Sequence, residues 1–533
     1  MDVPIPAFVV DVGSLTTRVG YAGDDSPWQM LPSYVGVPTD GSSASSPGDG
    51  FRFPLSFSEK RTDLAVSPCL YPSFSSLLPT YSLHEDVFEH IVRSAISRCL
   101  PPHASSPDSN VGEDSLADCP VLLSEPNLHC RALREKMAAI AFEKLDVPAL
   151  YIAPRALLAC FAVGRSGGLV VDLGAASLSI APVVDGFCLH REAGEWPIAG
   201  DFLDQLLSCV LTRHNLPVLP LFATHKKLPA APALSRLAGS SASANGSSAA
   251  SFAARRRAVL DWSGVDPSFL RLSQAAALRS MRESFCQVFL GEGGGFGGDG
   301  SSESLPNGVH GASLGEKTQK CPMRPLQLPG KEAAKTGQTP GRDSRAFLPS
   351  RWLTMLAPSG AAGRDLPGTA ALLGATQHAL ELPDGTRLRG DELANTIPEV
   401  LFHPQAILHP LENEPWMQPA VKSFRGLTEE IHEVASRVDA EARKEIFNGI
   451  VLAGGGAATP GLYERLSREL ARESSITMGM KWRLLALPTL FERRVSTWVG
   501  GSVLASMAAF QSLWCSREEY DEHGPSIVER KCY

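Results

Sequence analysis

The sequence predicts an α/β fold in which two related domains face each other across a cleft. Three observations lead there. Residues 120–163 alternate strand, helix, strand, helix: Pro120 to Leu123, Asn127 to Leu145, Leu150 to Ile152 and Pro154 to Phe161. The hairpin Phe8 to Asp25, with an aspartate at its mouth, is echoed at Gly168 to Phe187, about 160 residues later, as an internal repeat. Ile450 to Ala453 then run as a strand into Gly454-Gly455-Gly456 and a helix from Pro460 to Leu470.

In chain order, Phe8, Val9 and Val10 form a buried strand, Gly13 and Ser14 turn it, and Thr16, Arg18 and Tyr21 begin its partner. Residues 38–80 are rich in Ser, Gly and Pro, and the expectation is a loose small subdomain or long loop. Ser82 to Leu100 is helical, with Val87, Phe88, Ile91, Val92 and Ile96 on one face. Residues 101–118 read as a polar insertion. The helix over Asn127 to Leu145 keeps Arg131, Arg134, Glu135 and Lys136 on its solvent side. Beyond the second hairpin come a helix at Asp201 to Leu211, an Ala/Ser-rich stretch at 222–258 and a helical stretch at 267–290. Residues 291–345 are low-complexity, with too little apolar surface to offset chain entropy, so disorder is expected. Residues 379–402 read as a hairpin tipped by Asp384-Gly385 and then a short helix, and 423–447 as an amphipathic helical segment. A strand, a loop and a Gly/Ala-rich helix fill 481–516.

At 533 residues the chain is too long for one core. Its net charge of −8 gives no global field favouring nucleic acid, so direct DNA binding is not the first expectation. The 11 cysteines are scattered and include no C-x-x-C pair, a pattern of reduced thiols rather than a disulfide framework or zinc site. The opening MDVPIPAFVVDVG has no basic segment and does not read as a secretory signal, and no run is long and apolar enough for a membrane span. Arg255 to Arg257 reads either as a solvated loop or as a nuclear-import patch. His84, His90 and His129 lack ligand spacing and read as surface or packing residues, and Cys532 as an exposed thiol.

A strand-end aspartate followed by a Gly-Ser bend offers a carboxylate to a metal ion and backbone N–H groups to an anion. Asp11 and Asp172 read singly as hairpin caps, and Gly454 to Gly456 as a tight strand–helix turn. Two such hairpins aimed into one cleft make a clamp for the phosphates of a nucleotide and its Mg²⁺.

Together these segments resemble actin. The ending STWVGGSVLASMAAFQSLWCSREEYDEHGPSIVERKCY, Ser496 to Tyr533, is close to actin nearly residue by residue, and with Phe8–Asp25, Pro120–Gly186 and Gly449–Leu470 the likeness covers about half the chain. The insertions and divergence elsewhere point to an actin-related protein. LLSEPNLHCRALREKM, PIAGDF, ELPDGTRLRGDELANTIPEVLF and LFERRVSTWVGGS look most like the fourth actin-related class, the nuclear one shared by chromatin remodellers and histone acetyltransferase complexes. Arg18, where actin has Lys, and the VERKC ending agree.

The resemblance implies the actin/Hsp70/sugar-kinase ATPase fold, with residues 1–162 as the first half, 163–488 as the second and 489–533 returning to the first. It implies that Asp11, Gly13, Ser14 and Arg18 meet ATP phosphates and Mg²⁺, that Asp172 and Gly174 supply the second arm, and that Asp11 and Asp172 serve the metal. Gly454 and Gly455 admit the nucleotide to the backbone, and Arg494, where actin has a Lys near the adenine, stacks there. The family positions its hydrolytic water with a Gln, and here Arg155 stands in that place. Ala175, Ala176 and Ser179 stand where the family has Asp, Gly and His. The family's polymerisation loop has no recognisable counterpart in 38–80, so filaments are not expected.

The implied role is a non-catalytic scaffold in the nucleus. It would dock beside nuclear actin or another actin-related protein on the helical platform of a remodeller ATPase or acetyltransferase complex, with Val499 to Trp514 lining a helix-receiving cleft. Histones or the nucleosome would be reached through the assembly, with no membrane role. The alternatives are an unconventional cytoskeletal actin-related protein acting on filaments or motors, and an enzyme of the wider ATPase superfamily. Phosphoryl transfer depends on positioning and charge neutralisation, so loss of the water-orienting groups costs orders of magnitude in rate. Purified protein with Mg-ATP is therefore expected to release phosphate no faster than a heat-treated control, and turnover at actin-like rates would contradict this.

Overall fold

Five consecutive buried residues, Phe8–Val12, form the central strand of a six-stranded sheet. The computed structural model describes residues 7–39, 50–75, 79–100, 119–213, 216, 218–224, 262–288, 290, 379–381, 387–411, 414, 417, 419–476 and 482–532. Phe8–Val12 pairs antiparallel with Thr16–Tyr21 and parallel with Val121–Glu125. Ala149–Pro154 and Cys515–Ser516 extend one side, and Gln29–Pro32 the other. Strands flanked by neighbours on both sides and covered on both faces read as apolar runs, as Val121, Leu122 and Leu123 do in Val121–Glu125 before the strand ends in buried Ser124 and Glu125.

The second sheet repeats this arrangement. Gly168–Leu173 pairs antiparallel with Leu178–Val184 and parallel with Ile450–Ala453, which pairs in turn with Leu484–Leu485. The repeat extends to register: Asp11 lies opposite Arg18, and Asp172 opposite Ser179. Both turns close identically, with Gly13 N donating to Thr16 O at 3.1 Å and Gly174 N to Ser177 O at 3.0 Å.

The helix Leu490–Ser506 follows the second sheet in sequence and packs against the first. It starts with a capping box between Thr489 and Glu492. Buried Trp498 donates its indole N–H to Val9 O at 2.9 Å, and Ser502 Oγ donates to Asp24 O at 2.7 Å. Gly500 and Gly501 let it approach the helix Arg155–Ala162. A Cβ at Gly500 would lie on the Leu158 carbonyl oxygen, and one at Gly501 would meet Val9 Cγ1 at 2.7 Å. Further along, Val503 and Met507 are among the exposed large apolar residues.

Several boundaries differ from the sequence reading. The described parts of 38–80 are ordered, not loose. Tyr34–Pro38 pairs with Leu64–Pro68, and Leu70–Ser73 with Thr80–Leu83. The reason is tertiary: Phe57, Leu64 and Val66 pack against Leu219, Phe222 and Phe269, far along the chain. The helix expected from Asn127 begins at Arg131 and passes into a π-helical turn at Ile140–Lys144, because Asn127 is engaged elsewhere. The 423–447 segment is two helices, Leu427–Arg437 and Ala440–Phe447. Cys532 is buried rather than exposed, and burial pushes its thiol up to about 12; its sulfur accepts the Ile152 N–H at 3.4 Å. His90 packs edge-on against Phe51 and Phe53, while His129 pairs with Glu529 at 3.1 Å. The readings for 101–118, 291–345, Asp384-Gly385, Arg255 to Arg257 and most of 222–258 lie outside the described residues. No helix among the described residues is long and apolar enough to cross a membrane, and their cysteines are free thiols.

Gly500→Ala is expected to lower the urea midpoint by the equivalent of about 1–3 kcal/mol or more, because backbone carbonyl cannot yield as a flexible side chain does. Val503→Ala, at an exposed position of the same helix, should stay within about 0.5 kcal/mol. Equal midpoints for Gly500→Ala and the native chain would contradict the packing argument.

Candidate functional site

The two hairpin turns and the glycine loop converge on one cleft. Its lining includes all nine residues singled out from the sequence: Asp11, Gly13, Ser14, Arg18, Asp172, Gly174, Gly454, Gly455 and Arg494. The cleft encloses about 220 Å³. It adjoins a second cavity of about 320 Å³, with which it shares Arg282, Glu283, Gly455 and Arg494. That second cavity is lined on its far side by Leu203, Pro398, Pro460, Leu490 and Phe491. One end is therefore charged and the other apolar.

Gly454 ends the strand Ile450–Ala453 with φ of +88°, where a Cβ would collide with Asp172 Oδ1 and the Leu173 carbonyl. The glycine loop is thus folded directly onto the second aspartate. A Cβ at Gly455 would meet nothing, so the loop presents bare backbone to the cavity.

Asp11 is buried and carries the densest set of partners. Arg18 Nη1 donates to its Oδ2 at 2.5 Å, and Ser124 Oγ to its Oδ1 at 2.6 Å. Arg155 Nε lies 3.7 Å from Oδ1, while its Nη2 donates to Val12 O at 2.5 Å. Burial alone would raise the Asp11 carboxyl, but Arg18 and Arg155 outweigh it and hold the group below the usual carboxylate range. For Asp172 the balance goes the other way. Burial raises it, and Asp11 adds to this, although Arg155 and Arg18 pull it back. Arg155 thus lies against Asp11 and acts on Asp172 across the cleft, at the position where the resemblance implies a water-orienting glutamine.

Ser179, in the histidine's place, is buried and accepts from Asn127 Nδ2 at 2.7 Å. Asn127 Oδ1 accepts the Ala156 N–H at 2.6 Å, so one amide joins the second sheet to the first N–H groups of the Arg155 helix. Arg494 pairs with Glu283 at 3.2 Å at the junction of the two cavities.

Sequence reasoning missed four contributors. Arg279 and Arg282 reach the cleft from the helix Pro267–Phe285, held by Asp201 and Asp204 of the helix Gly200–Arg213 at 3.0 and 2.6 Å. Burial raises Asp204 to about 6 despite Arg282. The matching i, i+3 spacing of Asp201/Asp204 and Arg279/Arg282 was the available signal. Ser124 and Glu195 gave none. Glu195 is buried, accepts from Tyr81 Oη and is raised by desolvation.

Removing the Asp11 charge leaves two guanidiniums around a buried neutral group. Asp11→Asn is expected to cost about 3–5 kcal/mol at neutral pH. A depressed carboxyl contributes stability above its ordinary value of 3.8 and loses it as pH falls through the lower folded value. The difference between native and variant in urea unfolding should therefore be constant near neutrality and shrink only below about pH 4. A pH-independent difference down to strong acid would contradict the pairing.

Comparison with known proteins accords with this geometry. The actin family model matches residues 3–533. Actin-related protein 4 of Arabidopsis thaliana is 26% identical over 552 aligned positions, covering 99% of this chain and 98% of the relative. Actin-related protein 4 of Emericella nidulans is 28% identical over 550 positions (99% and 96%), and that of Neurospora crassa 26% over 555 (99% and 95%). The chain, with its two hairpin-centred sheets meeting at a glycine-lined cleft, belongs to the actin family and is an actin-related protein similar to actin-related protein 4.

Proposed function

We propose that the protein is a non-catalytic, ATP-binding scaffold subunit of a nuclear chromatin-remodelling or histone acetyltransferase complex. The observation that carries this reading is Arg155. It occupies the water-orienting position and is bonded to Val12 O and drawn to Asp11, in a cleft whose glycine turns are intact. A site with phosphate-cradling backbone and an arginine in place of the water-orienting glutamine favours holding over splitting. The charged end suits phosphates and the apolar end, closed by Arg494, suits a base. Bound nucleotide would stiffen the body across the cleft by linking both hairpins.

The scaffold role draws on the similarity to actin-related protein 4 and on the surface. Val503 and Met507, each over 40% exposed, lie along the helix Leu490–Ser506 and just after it, an apolar strip suited to receiving a partner helix. The partners proposed are nuclear actin or another actin-related protein and a helical platform of the complex, with histones contacted by the assembly.

Immunopurification of the tagged chain followed by mass spectrometry tests this. Actin together with remodeller or acetyltransferase subunits is the expected result. Recovery of filament or motor proteins instead would replace the reading with a cytoskeletal one.

A further inference from the structure

The residues of the cleft do not fit the magnesium ion that the family resemblance implies. Mg²⁺ is held in nucleotide sites through one or two carboxylates, coordinated waters and phosphate oxygens, in near-octahedral geometry. Asp11, the first of the two implied metal carboxylates, is already committed on both oxygens: Oδ2 to Arg18 at 2.5 Å, Oδ1 to Ser124 at 2.6 Å with Arg155 3.7 Å away. The second, Asp172, faces the same Arg155 guanidinium. The carboxylate that would stand after Gly174 is replaced by Ala175.

The charge of the lining completes the argument. Five arginines, Arg18, Arg155, Arg279, Arg282 and Arg494, face the cleft against three carboxylates, Asp11, Asp172 and Glu283. Arg279 and Arg282 are partly balanced by Asp201 and Asp204 just outside it. At the hairpin mouth Arg18 and Arg155 already neutralise the two carboxylates, Asp11 and Asp172, whose charge a divalent cation would use. Guanidinium N–H groups are donors suited to phosphate oxygens, and fixed ones supply the neutralising charge an ion otherwise brings.

We propose that this cleft binds a nucleoside polyphosphate without a divalent cation, the Arg155 and Arg18 guanidiniums standing in place of the metal. The inference rests on the nucleotide-binding reading above, and its test separates the two.

Isothermal titration of the full chain with ATP is run in excess Mg²⁺ and in excess EDTA. The Kd in EDTA is expected to be tighter than, or within about threefold of, the Kd in Mg²⁺. A Kd weakened by more than that in EDTA overturns metal independence while leaving nucleotide binding in place, and absence of heat in both buffers overturns the nucleotide reading and this inference together. Arg155→Gln is expected to weaken ATP in EDTA by about tenfold and to make binding respond to Mg²⁺, whereas Arg155→Lys, which keeps the charge, stays indifferent to the ion. An Arg155→Gln chain that binds as the native one does in both buffers removes Arg155 from the role. Should that variant be insoluble, the native comparison and Arg155→Lys decide.

Discussion

A buried carboxylate shared by two guanidiniums and a serine hydroxyl sets the rest of the cleft. Asp11 sits at the end of the central strand of the first sheet, where burial would otherwise favour its neutral form. Arg18 comes from the paired strand directly opposite, Ser124 from the parallel neighbour and Arg155 from the start of the helix Arg155–Ala162. Three separate elements are thus held to the strand that carries Asp11. Because Arg155 also anchors on Val12 O, its guanidinium is fixed between the two hairpins rather than swinging into solvent.

The second hairpin has the same backbone and the opposite electrostatics. Its aspartate lies opposite Ser179 instead of an arginine, and its carboxyl is raised instead of lowered. Duplication of a strand–turn–strand unit fixes the turn geometry, which depends on glycine and backbone hydrogen bonds. It leaves the side chain seven residues on free to diverge. The functional character of the cleft follows from that divergence.

Legibility in the sequence followed range. The hairpins and the glycine turn were readable because strand period, turn chemistry and glycine requirement are written within a few residues, whereas the nine cleft residues were named through the resemblance to actin. The return of Leu490–Ser506 to the first sheet came with the resemblance, and its close packing depends on Gly500 and Gly501, whose missing side chains leave room for Leu158 and Val9. What escaped depends on partners far along the chain. Tyr34–Pro38 and Leu64–Pro68 look like loop until Phe222 and Phe269 cover them. Cys532 looks like a tail thiol until Ile152 and Arg134 enclose it. Asn127 looks like the first residue of a helix, and its amide is instead spent bridging Ala156 and Ser179.

That amide ties position 179 to the start of the Arg155 helix. Ser179 stands where the family keeps a histidine, and its hydroxyl now receives the Asn127 Nδ2–H at 2.7 Å in a buried setting. Restoring an imidazole there would strand Asn127, and restoring glutamine at position 155 would strip Asp11 of one of its two cations. Arg155 and Ser179 are both bonded into the frame that joins the two hairpins, so the residues that line the cleft also brace it, and a change at either position reaches the packing of both sheets.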